Sequence, residues 1–189
     1  MQNNIWTSTK IVELGSCAFR QWKAQQSHCQ YLHGYQLKAK IWVSGKTLDD
    51  KNWIFDFGSF KEIKKILSNI FDHKVCVSKD DPELDFFKEA EKRKILQLTI
   101  LDAVGIEKTA EYVYHICDQY IRESTDSRCW VSKVEVWEHP ENSATFEILE
   151  EIINCDNTSE SNSSDQQIKI DLSAEAEKDY QTYLNLGGE

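Results

Sequence analysis

The chain is poor in residues that interrupt regular structure, with two prolines and seven glycines among 189 residues. This scarcity argues against collagen-like and proline-rich proteins and favours uninterrupted strands and helices. No apolar run is long enough to cross a bilayer, and residues 1–9 lack the apolar stretch of a signal peptide. We therefore expect a cytoplasmic protein with no membrane partner.

Positive charge is also the minority, with 22 Lys and Arg against 32 Asp and Glu and a net charge of -10. Proteins that bind nucleic acid need a basic face for phosphate contacts, so we expect no nucleic-acid partner. The six cysteines show no CxxC pairing and read as reduced thiols. The length suits one domain with a substantial core.

The first half of the chain predicts two strands and a helix. Apolar residues favour a strand over Thr9–Phe19, and strict alternation predicts a half-buried strand over Leu37–Val43. A turn then leads into Trp53–Phe57, which is predicted to be the short second strand of a hairpin. Ser59 then suits the N-cap of a helix that ends near Phe71, with Glu62 completing a capping box.

The second half predicts an insertion, a helix and two strands. Residues 79–101 look inserted, with a helix that starts at Asp81-Pro82 and an added strand over Leu96–Leu101. Helical spacing covers Thr109–Ile121, and alternation predicts strands over Trp130–Glu138 and Ala144–Ile148. The order is strand–strand–helix–helix–strand–strand. It predicts an α+β fold with a four-stranded antiparallel sheet, two helices on one face and open edges that oligomer formation would close.

The composition changes near residue 150. Residues 151–189 form an acidic polar tail, and only Leu172–Leu186 has the spacing of a terminal helix. We therefore expect one folded domain over residues 1–150, followed by this tail.

Side chains suited to proton chemistry lie at three places. Cys29 and His33 sit in and after a polar loop, Asp72-His73 follows a helix, and Glu138 ends a strand. Each has a structural alternative: a buried thiol, a hydrogen-bonded histidine, a charged helix end or a salt bridge. The residues alone leave both readings open.

Five short motifs in this order resemble the 6-pyruvoyl- and 6-carboxy-tetrahydropterin synthases, which have the tunnelling fold (T-fold). They are Cys29 followed by His33-Gly34, then Asp56-Phe57-Gly58, Phe71-Asp72-His73, Thr109-Ala110-Glu111 and Val136-Trp137-Glu138. The resemblance covers about residues 9–148 and implies a barrel built by a homo-oligomer, a trimer or hexamer. It implies that the substrate is dihydroneopterin triphosphate, a pterin.

The resemblance also implies roles for individual residues. Cys29 would be the general base, and Asp72 with His73 would relay protons. Glu138 would hold the amino-pyrimidine edge of the pterin, and Thr109 with Glu111 would line that pocket.

The family's zinc site is altered in this sequence. The resemblance places three zinc-binding histidines at positions 19, 33 and 35, but only His33 is present, beside Phe19 and Tyr35. Catalytic zinc usually has three protein ligands. The zinc cofactor is therefore in doubt, and His28 is the candidate substitute ligand.

Two functions are expected from this reading. The first is a carbon–oxygen lyase of the 6-pyruvoyl- or 6-carboxy-tetrahydropterin synthase type, serving a pterin or queuosine-type 7-deazaguanine route. The alternative is a T-fold protein without zinc that binds a pterin or purine and catalyses little.

Overall fold

The computed structural model of the protein describes residues 4–148. The acidic tail and its predicted terminal helix lie outside the described residues. The described part of the chain contains six strands and three α-helices. The strands are β1 Trp6–Phe19, β2 His33–Gly45, β3 Lys74–Ser78, β4 Leu98–Leu101, β5 Cys129–His139 and β6 Asn142–Phe146. The helices are α1 Phe60–Phe71, α2 Leu84–Lys92 and α3 Ile106–Ser124.

The strands form one mixed sheet of six, in the order β4-β3-β1-β2-β5-β6. Neighbouring strands within β1-β2-β5-β6 are antiparallel, which confirms the predicted antiparallel pairing for this part of the sheet. The prediction of four strands is wrong, because β3 and β4 extend the sheet beside β1 in parallel. Helix α2 joins β3 to β4 by a crossover, and strands joined in this way within one sheet run parallel.

The missed strand β3 lacks the alternation of a half-buried strand. Its last three residues are all buried, with Cys76 in the main core and Val77 in a second cluster with Phe87 of α2. The extension is therefore covered on both faces. Parallel strands buried in this way carry continuous apolar runs, which periodicity alone cannot identify.

The alternation in β2 is confirmed by burial. Leu37, Ala39, Ile41 and Val43 are at most 1% exposed and face the main core. Helices α1 and α3 supply the opposing apolar stripes of this core, and α3 lies against β5 and β6. One broad face of the central sheet is thus covered by two helices, as predicted.

Two local predictions are wrong. Trp53–Phe57 forms no strand, because the Asp49 carboxylate accepts the N–H groups of Lys51 and Trp53 and curls the chain into a turn. Ser59 does not cap α1: its backbone is already helical, and its hydroxyl makes no capping bond. Asp56 instead accepts the N–H of Gly58 at 2.8 Å in a short 3-10 helix that leads into α1. Over residues 4–148, no helix is long and apolar enough to cross a membrane.

Candidate functional site

The three positions that the resemblance assigns to zinc ligands meet in space as a cluster of rings. The register of β1 and β2 sets Phe19 opposite His33 and Cys17 opposite Tyr35. The ring centroids of Phe19 and His33 lie 5.0 Å apart, and those of His33 and Tyr35 lie 5.5 Å apart. Phe19 and Tyr35 complete the ring cluster at 6.2 Å.

The ring cluster does not fit zinc. Phe19 offers no donor atom. His33 Nδ1 donates to the carbonyl oxygen of Tyr31 at 2.7 Å, which leaves Nε2 for a ligand, but this is a single ligand. Tyrosine binds metals as a phenolate, and desolvation together with the charges of Glu138 and Cys29 raises the pKa of Tyr35 and disfavours that form.

His28 does not complete the set. It lies in an exposed 3-10 helix, His28–Gln30, where its carbonyl oxygen accepts the N–H of Tyr31. Within the described part of the chain, no three His, Cys, Asp or Glu side chains converge as ligands would. The residues present therefore do not form the three-histidine site that the resemblance implies.

Tyr35 links two of the predicted site residues. The β2–β5 register sets Lys38 opposite Trp137, which places Glu138 at the Tyr35 end of β2, and the loop that carries Cys29 joins β2 at the same end. Glu138 is half-buried at the end of β5, where the amide of Asn142 donates to it over a long 3.5 Å. Cys29 is exposed in the loop between β1 and β2. A carboxylate and a thiol thus lie at the same end of the sheet as one half-buried ring.

Asp72 and His73 form a couple that is held on β1. Their side chains meet at 2.9 Å between Asp72 Oδ1 and His73 Nδ1. The same carboxylate oxygen accepts the N–H of Ser16 at 3.0 Å, and the N–H of His73 donates to the Ser16 carbonyl oxygen at 2.7 Å. The imidazole remains 81% exposed. Among residues 4–148, no hydrogen bond or ion pair connects this couple to Cys29 or Glu138.

A bulge in β1 makes room for Asp72. The β1–β2 register shifts between Glu13 and Gly15, and Gly15 has φ +100, in the left-handed region. A Cβ at this position would lie 2.1 Å from Asp72 Oδ1. Only glycine combines this backbone angle with this close approach.

Thr109 and Glu111 have partners in α3 or at its N-cap. The buried Thr109 hydroxyl donates to the Gly105 carbonyl oxygen at 3.0 Å, and Glu111 forms a close ion pair with Lys108. These contacts explain both residue types by helix structure. Their predicted role in lining a pterin pocket stays a prediction.

Sequence reasoning missed a contact between two charged residues beside the loop that carries Cys29. Arg20 and Asp81 form a bidentate ion pair, although they are 61 positions apart in the chain. The sequence pattern predicts only a helix cap for Asp81. No local signal joins it to Arg20, because their meeting depends on where β3 enters the sheet.

Comparison with known proteins identifies the family. A family model described as 6-pyruvoyl tetrahydropterin synthase matches residues 13–148. The chain belongs to this family. No curated protein matches the chain at a significant level.

Solved structures agree on the fold of this tetrahydropterin synthase family member. An uncharacterized protein from Wolinella succinogenes has a TM-score of 0.64 at 18% identity and covers 76% of this chain and 98% of its own. The 6-pyruvoyl tetrahydropterin synthase of Caenorhabditis elegans has a TM-score of 0.53 at 19% identity, covering 79% and 99%. The Plasmodium falciparum enzyme of that name has a TM-score of 0.52 at 19% identity, covering 74% and 96%. Together with the family match, they support a T-fold and a role of the tetrahydropterin-synthase type.

Proposed function

We propose that this family member binds a dihydroneopterin-type pterin at the Tyr35 end of the sheet and catalyses proton transfer on its side chain without a bound metal. The single observation that carries the proposal is that strand register brings Glu138 to the Tyr35 end of the sheet, where the loop that carries Cys29 joins β1 to β2. A binding carboxylate and a proton-accepting thiol beside one aromatic ring are what such a reaction needs.

Glu138 suits the anchor role for a pterin. It is half-buried, and its one hydrogen bond in the described structure is the long contact with Asn142. A half-buried carboxylate is stabilised by charge-assisted hydrogen bonds, and an amino-pyrimidine edge offers two N–H donors side by side. The ring cluster supplies an aromatic wall for a flat ligand.

The proton chemistry falls to Cys29 and to the Asp72–His73 couple. Formation of a 6-pyruvoyl or 6-carboxy product requires strong polarisation of the side-chain hydroxyls, which these residues supply less well than a metal would. Retro-aldol cleavage is less demanding: a base removes the proton of the 2′-hydroxyl, and the C1′–C2′ bond breaks so that C2′ leaves as an aldehyde. The electron pair of the broken bond flows into the C6=N5 bond. A proton then returns to C1′ as the pterin ring system is restored. Epimerisation of the side chain starts with the same proton removal and bond cleavage, after which the C1′–C2′ bond re-forms on the other face of the aldehyde and a proton returns to the 2′ oxygen.

The altered zinc positions favour a second candidate, a protein that binds a pterin or purine and catalyses little. Phe19 and Tyr35 would then serve packing and ligand stacking alone. This candidate keeps Glu138 as the anchor and requires no function of Cys29.

We propose further that the site is completed in a homo-oligomer, a trimer or hexamer. On its side away from β2, β1 pairs with β3 only over Cys17–Phe19, so its first half is an unpaired edge within the described structure. Ile5, Trp6 and Ile11 are exposed along this edge. Edges of this kind are closed by strand pairing between subunits. Size-exclusion chromatography with light scattering tests the assembly, and a monomer at micromolar concentration contradicts it.

The decisive experiment measures turnover of dihydroneopterin triphosphate, with products separated by chromatography and detected by fluorescence. We expect Cys29→Ala to lower the turnover number at least about a hundredfold, the usual size of general acid–base contributions. Gln26→Ala, an exposed change in the same loop, is the matched control. Elemental analysis of the same sample should give well under one zinc per chain.

The binding step is tested separately with dihydroneopterin. Glu138→Gln should weaken binding, whereas Glu135→Gln on the same strand should not, since Glu135 accepts instead from Ser143. If wild type and Cys29→Ala are both inactive while only Glu138→Gln loses binding, the enzyme proposal fails and the binding protein stands. If Glu138→Gln binds normally, both fail.

A further inference from the structure

The β3-α2-β4 segment, which includes the inserted residues 79–101, contacts the loop that carries Cys29. Arg20, the first residue after β1, donates through Nε and Nη2 to the Asp81 carboxylate at 2.8 and 2.5 Å. The Asp81 side chain is 0% exposed and the Arg20 side chain 21% exposed. Asp81 Oδ1 also accepts the N–H of Glu83 at 2.9 Å, which fixes the carboxylate relative to the start of α2.

The neighbouring carboxylate contacts the same loop. Asp80 accepts from Trp22 Nε1 at 3.2 Å and from Lys23 Nζ at 2.6 Å. The Ser78 hydroxyl donates to Asp80 at 2.5 Å and ties it to the end of β3. Two consecutive acidic residues of the insertion therefore bind three residues of the loop.

The loop transmits this contact directly to Cys29. Gln21 follows Arg20, and its N–H donates to the Cys29 carbonyl oxygen at 2.8 Å. The Gln21 side chain donates to the Val104 carbonyl oxygen at 3.1 Å, on the far side of the insertion. Arg20 also follows Phe19 of the ring cluster. Its position thus fixes both a ring of the site and the backbone that pairs with Cys29.

The two carboxylates differ in importance. The Lys23–Asp80 pair is exposed, and exposed ion pairs are screened by water and contribute little. The Asp81 carboxylate is buried, so removing its charge leaves the Arg20 guanidinium facing a partner that no longer compensates it. Arg20 also stacks over Phe87 of α2, 5.7 Å from the ring centroid. Asp81 is therefore the residue on which the loop position depends.

We infer that Asp81 is a positioning residue: through Arg20 and Gln21 it holds the Cys29 loop in its working geometry. Its effect on turnover rests on the proposed function, but its effect on the loop does not. The insertion thereby has a role in the site rather than only in the sheet.

The test compares wild type with Asp81→Asn, which keeps the shape and removes the charge. Hydrogen exchange by mass spectrometry should speed up at least about tenfold over residues 21–32, because opening the loop then breaks a weaker contact. Alkylation of Cys29 by iodoacetamide, resolved by peptide mass spectrometry, should change rate by about threefold or more as its surroundings reorganise. Turnover of dihydroneopterin triphosphate should lose about 10- to 100-fold in kcat with little change in KM, as expected when a reacting group is misplaced.

Glu89→Gln on α2 is the matched control, because Glu89 pairs only loosely with Lys92, at 4.0 Å on an exposed surface. It should leave exchange and alkylation unchanged. Arg20→Lys, which keeps the charge but loses the bidentate fork, should show the same changes to a smaller degree and replaces Asp81→Asn if that variant does not fold.

The inference is overturned if the substituted protein exchanges over residues 21–32 and is alkylated at Cys29 at the same rates as wild type. This holds whatever its activity. If Asp81→Asn loosens the loop but wild type itself shows no turnover, the positioning role is supported and the proposed enzyme function is rejected. The two failures are therefore distinguishable.

Discussion

Replacement of Gly15 by alanine should destabilise the protein through the Asp72–His73 couple. Gly15 has φ +100, and a left-handed backbone disfavours a residue with a Cβ by about 1–2 kcal/mol. The new Cβ would lie 2.1 Å from Asp72 Oδ1 and 2.5 Å from Asp72 Cβ, so Asp72 must move. Moving it breaks the bond from the Ser16 N–H.

The expected size follows from these two effects. A hydrogen bond to a charged group contributes about 1.5–3 kcal/mol, and water replaces part of it here because the Asp72 side chain is 39% exposed. We therefore expect Gly15→Ala to lower the free energy of unfolding by about 2–4 kcal/mol. The effect should appear in urea unfolding followed by tryptophan fluorescence.

Gly58→Ala is the control for this experiment. A Cβ at position 58 would lie 3.2 Å from the carboxylate of Asp56, with no left-handed backbone angle. Its effect should stay below about 1 kcal/mol. A Gly15→Ala protein as stable as wild type, or one no less stable than Gly58→Ala, refutes the assignment of Gly15 to the accommodation of Asp72.

Three further predictions test the core, the titration of a helix residue and the ring cluster. Leu67→Ala should lower the free energy of unfolding by about 2–5 kcal/mol, since Leu67 is fully buried; a loss below about 1 kcal/mol in urea unfolding contradicts the packing of α1. Burial lowers the pKa of His115 in the folded protein below its ordinary value of 6.5. As the pH falls through 6.5, the unfolded chain therefore protonates this histidine before the folded protein does, and the free energy of unfolding declines until the folded protein is protonated as well. His115→Gln should reduce this decline in urea midpoints between pH 7.5 and 5.5, and an unchanged slope counts against it. The double substitution Phe19→His and Tyr35→His should bind about one zinc per chain by elemental analysis. Histidines around a tetrahedral zinc have ring centroids about 5 Å apart, and the rings of the cluster lie 5.0 to 6.2 Å apart. No gain in zinc means that the cluster cannot close on a metal.

Much of the central sheet could be predicted because its signals are local. Alternation marks Leu37–Val43 as a strand whose core face is buried, and helical spacing places Ile63 and Leu67 on one stripe of α1. The order of five short motifs was enough to indicate the family, and the family match over residues 13–148 confirms it. The predicted pairing of Asp72 with His73 at a helix exit depends only on adjacent residues, and their side chains do meet.

The errors and omissions share a different cause. β3 was missed because burial on both faces removes alternation, and Ser59 failed as a cap because Asp56, three residues earlier, takes that role. The contact between Arg20 and Asp81 could not be predicted from the residues next to either of them.

The amino-acid sequence by itself determined which residues can titrate, bind or pack, and most of the strands and helices they belong to, because those properties depend on neighbours a few positions away. Only the tertiary structure decided which of them meet. The register of β1 with β2 brings Phe19, His33 and Tyr35 into one cluster, and the parallel entry of β3 brings Asp81 to Arg20. Such meetings depend on how distant segments align in the sheet, and spacing along the chain does not specify that alignment.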